Sequence, residues 1–442
     1  MTGWIKRLLK RVMGSVDEPV TNFVHIPKTA GTSFIVWLDR FFPAERIYPH
    51  QLWREVKLIG PMRNQQYDLF RGHFGGGGVR QLTNRPLAQL TILRDPVELA
   101  RSTYQYALRE QNTRVHDLLT SAQMELSEFI HHPETQPLVT NRLIRNISFD
   151  FVEDPAAQEV FLSAETIQYL QQHITVKTRP LTDDDRLLRA RAFLQACQWF
   201  GLAERFAESM QLLCYVRAWR PMGQSQKLNT SSPLQMSDQD ISDLQQQNHQ
   251  DCEFYRFACR LFDERFGQMK AQLETLRSNE QETLDDLLDV HYQRHQDVEL
   301  SAHVDYRFNQ VLQGQQWHRR EFLDEEQGYF RWTGPGPVAD IDFWVQPGDY
   351  QLSIRIINAT SEALLDELVL AVNGQQLEWH SREQGVVRVL TATCRSSWIA
   401  DNGLLRLSLT CADMCSHREA FGTDDERLVG VAVHWIQLTH VG

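Results

Sequence analysis

Two strand-to-helix junctions constrain this sequence more than anything else in it. In the first, the apolar run 22–26 stops at Pro27. It passes through Lys28-Thr29-Ala30-Gly31-Thr32-Ser33 into a stretch where Phe34, Trp37, Leu38 and Phe41 recur at helical spacing. In the second, the apolar run 90–93 ends at Arg94-Asp95-Pro96, and Ser102 follows within the next helical pattern. Further strands are expected at 67–72 and 199–202, with mostly helices between 98 and 195. Short apolar strands alternating with helices predict a layered α/β fold around a parallel sheet.

The remainder of the chain follows other periods. Residues 237–266 read as one long helix, opened by Ser237 with Asp240 three residues later. Residues 269–300 read as a charged helical linker. From about residue 304 the period drops to two, as in Leu352, Ile354 and Ile356 or Leu405, Leu407 and Leu409. Asn373-Gly374 between Leu370 and Leu377 marks a hairpin, so 301–442 is expected to be an all-β sandwich. The division is then 1–19 as a basic amphipathic segment, 20–268 as the α/β domain, 269–300 as linker and 301–442 as sandwich. A chain cut at residue 300 is expected to keep a folded core.

Charge and cysteine usage narrow the function classes. Across 442 residues the net charge is −12, which argues against a broad nucleic-acid surface. Any anion site must therefore be built locally. Seven scattered cysteines make no disulfide framework and fit a reducing cytoplasm. Cys411 and Cys415, with Cys394 upstream, lack a fourth metal ligand, and His291 with His295 lacks partners, so no metal is expected. No apolar run is long enough to span a bilayer. Residues 1–14 read as a basic amphipathic helix, suited either to peripheral contact at the inner membrane surface or to docking on the core.

The first junction has the makings of a phosphate loop. Free N–H groups at a helix start attract an anion, Ala30 and Gly31 let backbone approach, Thr32 and Ser33 add hydroxyls, and Lys28 adds charge. A Walker loop needs a Gly-Lys pair, which is missing here, so an ATP-hydrolysing phosphotransferase is the weaker alternative. At the second junction Asp95 caps the helix, Pro96 takes its first position and Glu98 completes the cap. That leaves Arg94 to hold an anion together with Ser102, or else to pair with a carboxylate. Two anion clamps suit a nucleotide phosphorylated at both ribose ends.

His25-Ile26-Pro27-Lys28-Thr29-Ala30-Gly31-Thr32-Ser33 and Arg94-Asp95-Pro96-Val97-Glu98 through Ser102 resemble the two signatures of carbohydrate sulfotransferases. These enzymes, the heparan and chondroitin types among them, use 3′-phosphoadenosine 5′-phosphosulfate (PAPS). The runs 200–206 and 227–229 also resemble family segments, and the likeness covers about residues 20–266. The resemblance implies a P-loop-like three-layer sulfotransferase fold with a central parallel sheet, followed here by the sandwich. It implies that Lys28, Thr29, Ala30, Gly31, Thr32 and Ser33 hold the 5′-phosphosulfate, and that Arg94 and Ser102 hold the 3′-phosphate. Lys227, Leu228 and Asn229 would close over the nucleotide.

His73 is the candidate general base. It ends an apolar strand and precedes Gly75 to Gly78, which would let acceptor and loop approach closely. Imidazole titrates near neutrality, and the family likeness places a catalytic His at such a Gly-His pair. The alternative is a His merely hydrogen-bonded at a strand end. Lys28 is the second catalytic candidate, stabilising the leaving oxygen. His25 is expected to be structural, while Arg71, His50 and the segment 141–145 are candidates to touch an anionic or sugar acceptor. Trp317, Tyr329, Trp332, Phe343, Trp344, Trp379 and Trp435 would fill the sandwich core or stack on sugars. The expectation is a cytoplasmic, bacterial, PAPS-dependent enzyme that sulfates a carbohydrate or glycoconjugate hydroxyl and releases 3′-phosphoadenosine 5′-phosphate (PAP). A non-catalytic nucleotide- or glycan-binding scaffold is the alternative from another class.

Overall fold

The computed structural model describes residues 18–56, 65–111, 113–149, 181–223, 234–296 and 298–441. Residues 1–14 and the Lys227, Leu228, Asn229 loop lie outside the described residues. The chain is mixed α/β and forms two compact units. The first takes the described residues of Met1–Ile35, Arg46–Val216 and Asn229–Gln272, the second those of Val36–Glu45, Arg217–Leu228 and Leu273–Gly442. No helix among the described residues is long and apolar enough to cross a membrane.

The first unit is built on a four-stranded parallel sheet of β1 (Val20–Val24), β2 (Leu69–Gly72), β3 (Leu87–Leu93) and β4 (Trp199–Leu202), in the order β2-β1-β3-β4. All five residues of β1 are buried, because a central parallel strand is covered on both faces. Its polar Asn22 is tolerated through a 2.7 Å hydrogen bond to Gln89. Strands are added on both sides of β1, with β2 on one side and β3 followed by β4 on the other. In open α/β sheets the crevice at such a point, at the carboxyl ends of the strands, is where ligands sit. Residues 25–33, His73 and Arg94 all follow those ends.

Two of these strands feed helices that the sequence pattern announces. Helix α1 (Gly31–Leu38) follows β1, and α2 (Pro96–Arg109) follows β3. The Asp95 carboxylate accepts from the N–H groups of Val97 and Glu98 at 2.9 and 3.1 Å, the expected cap. Helix α3 (Arg142–Ser148) comes later in the chain. The stretch 237–266 is two helices rather than one, α4 (Asp238–Gln247) and α5 (His249–Glu274). Asn248 separates them: its amide donates to Leu244 O and its side-chain oxygen accepts from Asn141 N. An Asn side chain that competes for backbone partners ends a helix at little cost.

The second unit carries antiparallel sheets of seven and five strands. Ile354, Ile356, Val433 and Ile436 from one sheet and Ile341, Leu370, Leu407 and Leu409 from the other share one core, a sandwich-like arrangement. Asn373 and Gly374 take φ of 48° and 81°, the turn that the hairpin signal requires. Trp317, Trp332 and Phe343 are buried, whereas Tyr329, Trp344, Trp379 and Trp435 stay partly exposed. Residues 269–300 do more than connect: Leu273, Leu287, Leu288 and Tyr292 are buried.

Two stretches that precede residue 300 belong to this second unit and reverse the expectation for a truncated chain. Arg40 is buried and donates to Gly314 O and Trp317 O at 3.1 and 3.3 Å. Arg220, also buried, binds Asp340 at 2.8 Å and pairs with Asp342. Trp219 stacks flat on Phe41 at 3.9 Å. A chain ending at residue 300 strips these partners from two buried guanidinium groups. Size-exclusion chromatography is expected to show aggregation of that fragment, and a monodisperse, cooperatively melting fragment would contradict this.

Candidate active site

The turn after β1 is held in a strained shape by its own side chains. Lys28 and Ala30 adopt φ of 71° and 67°, left-handed values that cost a non-glycine residue about 1–2 kcal/mol each. Alternation of this kind turns successive N–H groups toward one point, an anion-binding concavity. Thr29 lies between them, fully buried, with its hydroxyl donating to Ile26 O at 2.9 Å. Its observed work is therefore to close the turn. Helix α1 begins as Phe34 N bonds Ala30 O, leaving the N–H groups of Gly31, Thr32 and Ser33 at its open end. Gly31 is required sterically, since a Cβ there would lie 2.1 Å from His25 Cδ2. Gly31→Ala is expected to lower unfolding free energy by about 1–3 kcal/mol in urea denaturation. An unchanged midpoint would contradict the close packing.

The two junctions meet. Arg94 Nη1 donates to Lys28 O at 3.0 Å, so the second junction braces the first. The remaining Arg94 nitrogens form long ion pairs with Glu98 and Glu204 at 3.8 and 3.9 Å, without hydrogen bonds, so the carboxylate pairing that the sequence left open is present as well. Glu204 is hydrogen-bonded instead by Asp95 N at 3.0 Å and the Tyr255 hydroxyl at 2.6 Å. Ser102 is half-buried on α2. The same helix face continues through Tyr106 to Arg109, spacings of four and three residues. The Lys28 ammonium sits 4.3 Å above the Tyr106 ring. Burial, and then the neighbouring charges of Arg109, Arg94 and Arg142, push the Lys28 ammonium below its usual range, against Glu110 alone. Lys28, Arg94, Arg109 and Arg142 are thus like charges gathered near one another, with Glu110 opposing them at Lys28.

His73 is placed as a base would be. Its backbone N–H donates to Gln51 O at 2.9 Å, and its Nδ1 lies 2.7 Å from His25 O. A carbonyl only accepts, so Nδ1 carries the proton and Nε2 keeps its lone pair. Burial lowers the His73 titration, with Arg142 adding to this and the His25 carbonyl and Glu55 opposing it. The imidazole is then neutral at pH 7. Among the four glycines beyond it, Gly75, Gly76 and Gly78 are explained by close packing. The four form a helical turn in which a Cβ at Gly76 would meet Ile147 O at 2.2 Å and one at Gly75 would meet the Phe149 ring at 2.4 Å.

Distant segments complete the charge cluster. Asn141 takes a left-handed φ of 46°, with its N–H on Asn248 and its amide on Gln250 at 2.7 and 2.8 Å. The buried Asp251 carboxylate accepts from Leu143 N and Ile144 N, capping α3, and burial still raises it to about 7. This polar network fixes the first residue of α3, Arg142, whose guanidinium donates to Thr103 at 2.6 Å and is pushed down to about 10 by burial. Of the proposed acceptor contacts, Arg142 thus joins the site. Arg71 instead donates to Tyr48 O at 3.1 Å, and His50 packs edge-on to Tyr48. Tyr106, Arg109 and Glu55 had no local signal in the sequence beyond the helical spacing of the first two.

No family model matches the chain, and no curated protein does. Two of the solved structures that match it are the following. One is a family 35 carbohydrate binding module from Clostridium thermocellum, 12% identical over 33% of this chain and 98% of that one, with a TM-score of 0.18. The other is a family GH115 4-O-methyl-α-glucuronidase with specificity for decorated arabinogalactans. It is 8% identical over 80% of this chain and 51% of that one, so the match spans about half its length, with a TM-score of 0.19. At these scores neither assigns a fold or a function, and the chain is placed in no family by them.

Proposed function

We propose that this chain is a sulfotransferase that moves a sulfuryl group from PAPS to a hydroxyl of a carbohydrate or glycoconjugate and releases PAP. The observation that carries the reading is the 3.0 Å bond from Arg94 to Lys28 O, which ties two anion-holding junctions into one crevice. The residues present fit the donor: an amide-lined turn and Lys28 for one anionic end, Arg94 and Ser102 for the other. The reading takes the α/β unit, with its four-stranded parallel sheet, as a three-layer, P-loop-like sulfotransferase fold. PAPS supplies an activated sulfuryl group on a phosphate leaving group.

The protein's own contribution is placement and charge. Amides of residues 31–33 and the Lys28 ammonium neutralise charge gathering on the leaving oxygen. Arg94 and Ser102 fix the ribose end and so the direction of attack. His73 Nε2 accepts the proton of the acceptor hydroxyl while Nδ1–H stays on the His25 carbonyl. Arg142 adds charge between α2 and the base.

The test is transfer of label from sulfur-labelled PAPS to a panel of glycans by the full chain. Label on a glycan supports the reading. PAP binding without transfer to any acceptor would indicate a binding scaffold, and magnesium-dependent phosphoryl transfer from ATP would indicate a phosphotransferase.

A further inference from the structure

His25 is the residue whose surroundings the proposed chemistry leaves unexplained. It follows β1 directly and is 8% exposed. Its ring stacks on His73, centroids 4.4 Å apart and planes 27° from parallel, and on Phe23 at 5.7 Å and 20°. Its other edge lies beneath the phosphate turn, where a Cβ on Gly31 would fall 2.3 Å from Nε2. Its carbonyl takes the Nδ1 proton of His73. Its own Nδ1 is buried without a partner. An unpartnered buried nitrogen costs about 1–3 kcal/mol, and an aliphatic side chain would avoid that cost.

The ring earns its place by geometry. We propose that His25 is a positioning residue: a flat, five-membered wedge that sets the plane of the His73 imidazole and its height against the Gly31 turn. Any residue at position 25 supplies the carbonyl, so hydrogen bonding alone does not call for histidine. A non-planar side chain would not hold a parallel ring, and a wider one would press on Gly31. His25 stays uncharged, since burial, His73 and Lys28 together lower its titration to about 3. This inference rests on the sulfotransferase reading only for its turnover arm.

The experiment compares wild type, His25→Ala and His25→Leu in the full chain. NMR titration of ring-labelled histidine follows His73, whose signal is assigned by its loss in His73→Asn. The charged groups that act on His73 are Arg142 and Glu55, beside the His25 carbonyl, and those that act on His25 are His73 and Lys28. In His25→Ala, water replaces the ring, so the His73 midpoint should rise toward the ordinary value of about 6.5. In His25→Leu the site stays dry and the midpoint should stay low. Both variants should lose kcat by about 10- to 100-fold at saturating PAPS, with PAP affinity kept within about threefold. An unchanged midpoint in His25→Ala overturns the proposal, and so does wild-type kcat in both variants. Should the wild type transfer no sulfuryl group, the functional reading fails while the midpoint comparison still decides the positioning role.

Discussion

Replacing His73 by alanine is expected to lower kcat by about 10²- to 10⁴-fold while leaving PAP affinity within about threefold of wild type. The expectation follows from where its protons sit. Nδ1–H is committed to the His25 carbonyl at 2.7 Å, so only Nε2 can receive the acceptor's proton. A base works when it is unprotonated, and burial lowers the His73 midpoint below the ordinary imidazole value. Activity that depends on it should therefore be full at neutral pH. It should fall only as pH drops through that lowered midpoint, an acid limb below about 6.5 in kcat/KM. A steady-state pH profile of the wild type measures the limb directly. A limb above that value, or a loss of PAP affinity as large as the loss of turnover, would contradict the assignment.

Lys28→Ala should act on both binding and chemistry. Removal of one preorganised donor from a developing anion commonly costs about 10²- to 10³-fold in kcat, and that is the loss expected here at saturating PAPS. Because Lys28 is crowded by Arg94, Arg109 and Arg142, its removal also relieves repulsion in the empty site. The stability of the free protein should therefore hold or rise slightly while PAP affinity falls. Thermal melts with and without PAP check the pair of effects together, since a ligand stabilises by its affinity for the native state. Wild-type rates at saturating donor would remove Lys28 from the mechanism. A fall in stability without PAP would show that its role is to hold the turn.

What was legible in the sequence is what local chemistry decides. Asp95 and Pro96 announce the start of α2 because a cap uses neighbours two and three residues away. Asn373-Gly374 announces its hairpin because left-handed φ values favour those residue types. The turn at residues 27–31 is readable for the same reason, and so is the place of His73 just after its strand. Arg142 is different. Its place depends on Asn141, Asn248, Gln250 and Asp251, buried partners over a hundred residues apart in sequence, and no period or spacing encodes such a network. The glycine run has a packing cause of the same kind, since Gly75 and Gly76 make room for Phe149 and for Ile147 O, and no local pattern foretells those neighbours. Arg40 and Arg220 likewise carry no local mark that their partners lie near residues 314–342. Tertiary neighbours decide burial, and the sequence pattern around a buried arginine looks like that around an exposed one.

The proposed function requires Lys28 at one strand end and Arg94 at the next, joined by the 3.0 Å bond from Arg94 to Lys28 O, each to hold one phosphate of the same donor. Calorimetry on wild type and Arg94→Ala, titrated with PAP and with adenosine 5′-monophosphate, tests it most directly. Wild type should prefer PAP by about 10- to 100-fold, the worth of charge-assisted bonds to the 3′-phosphate, and Arg94→Ala should lose most of that preference. Equal affinity of wild type for the two nucleotides, or an undiminished preference in Arg94→Ala, would contradict it.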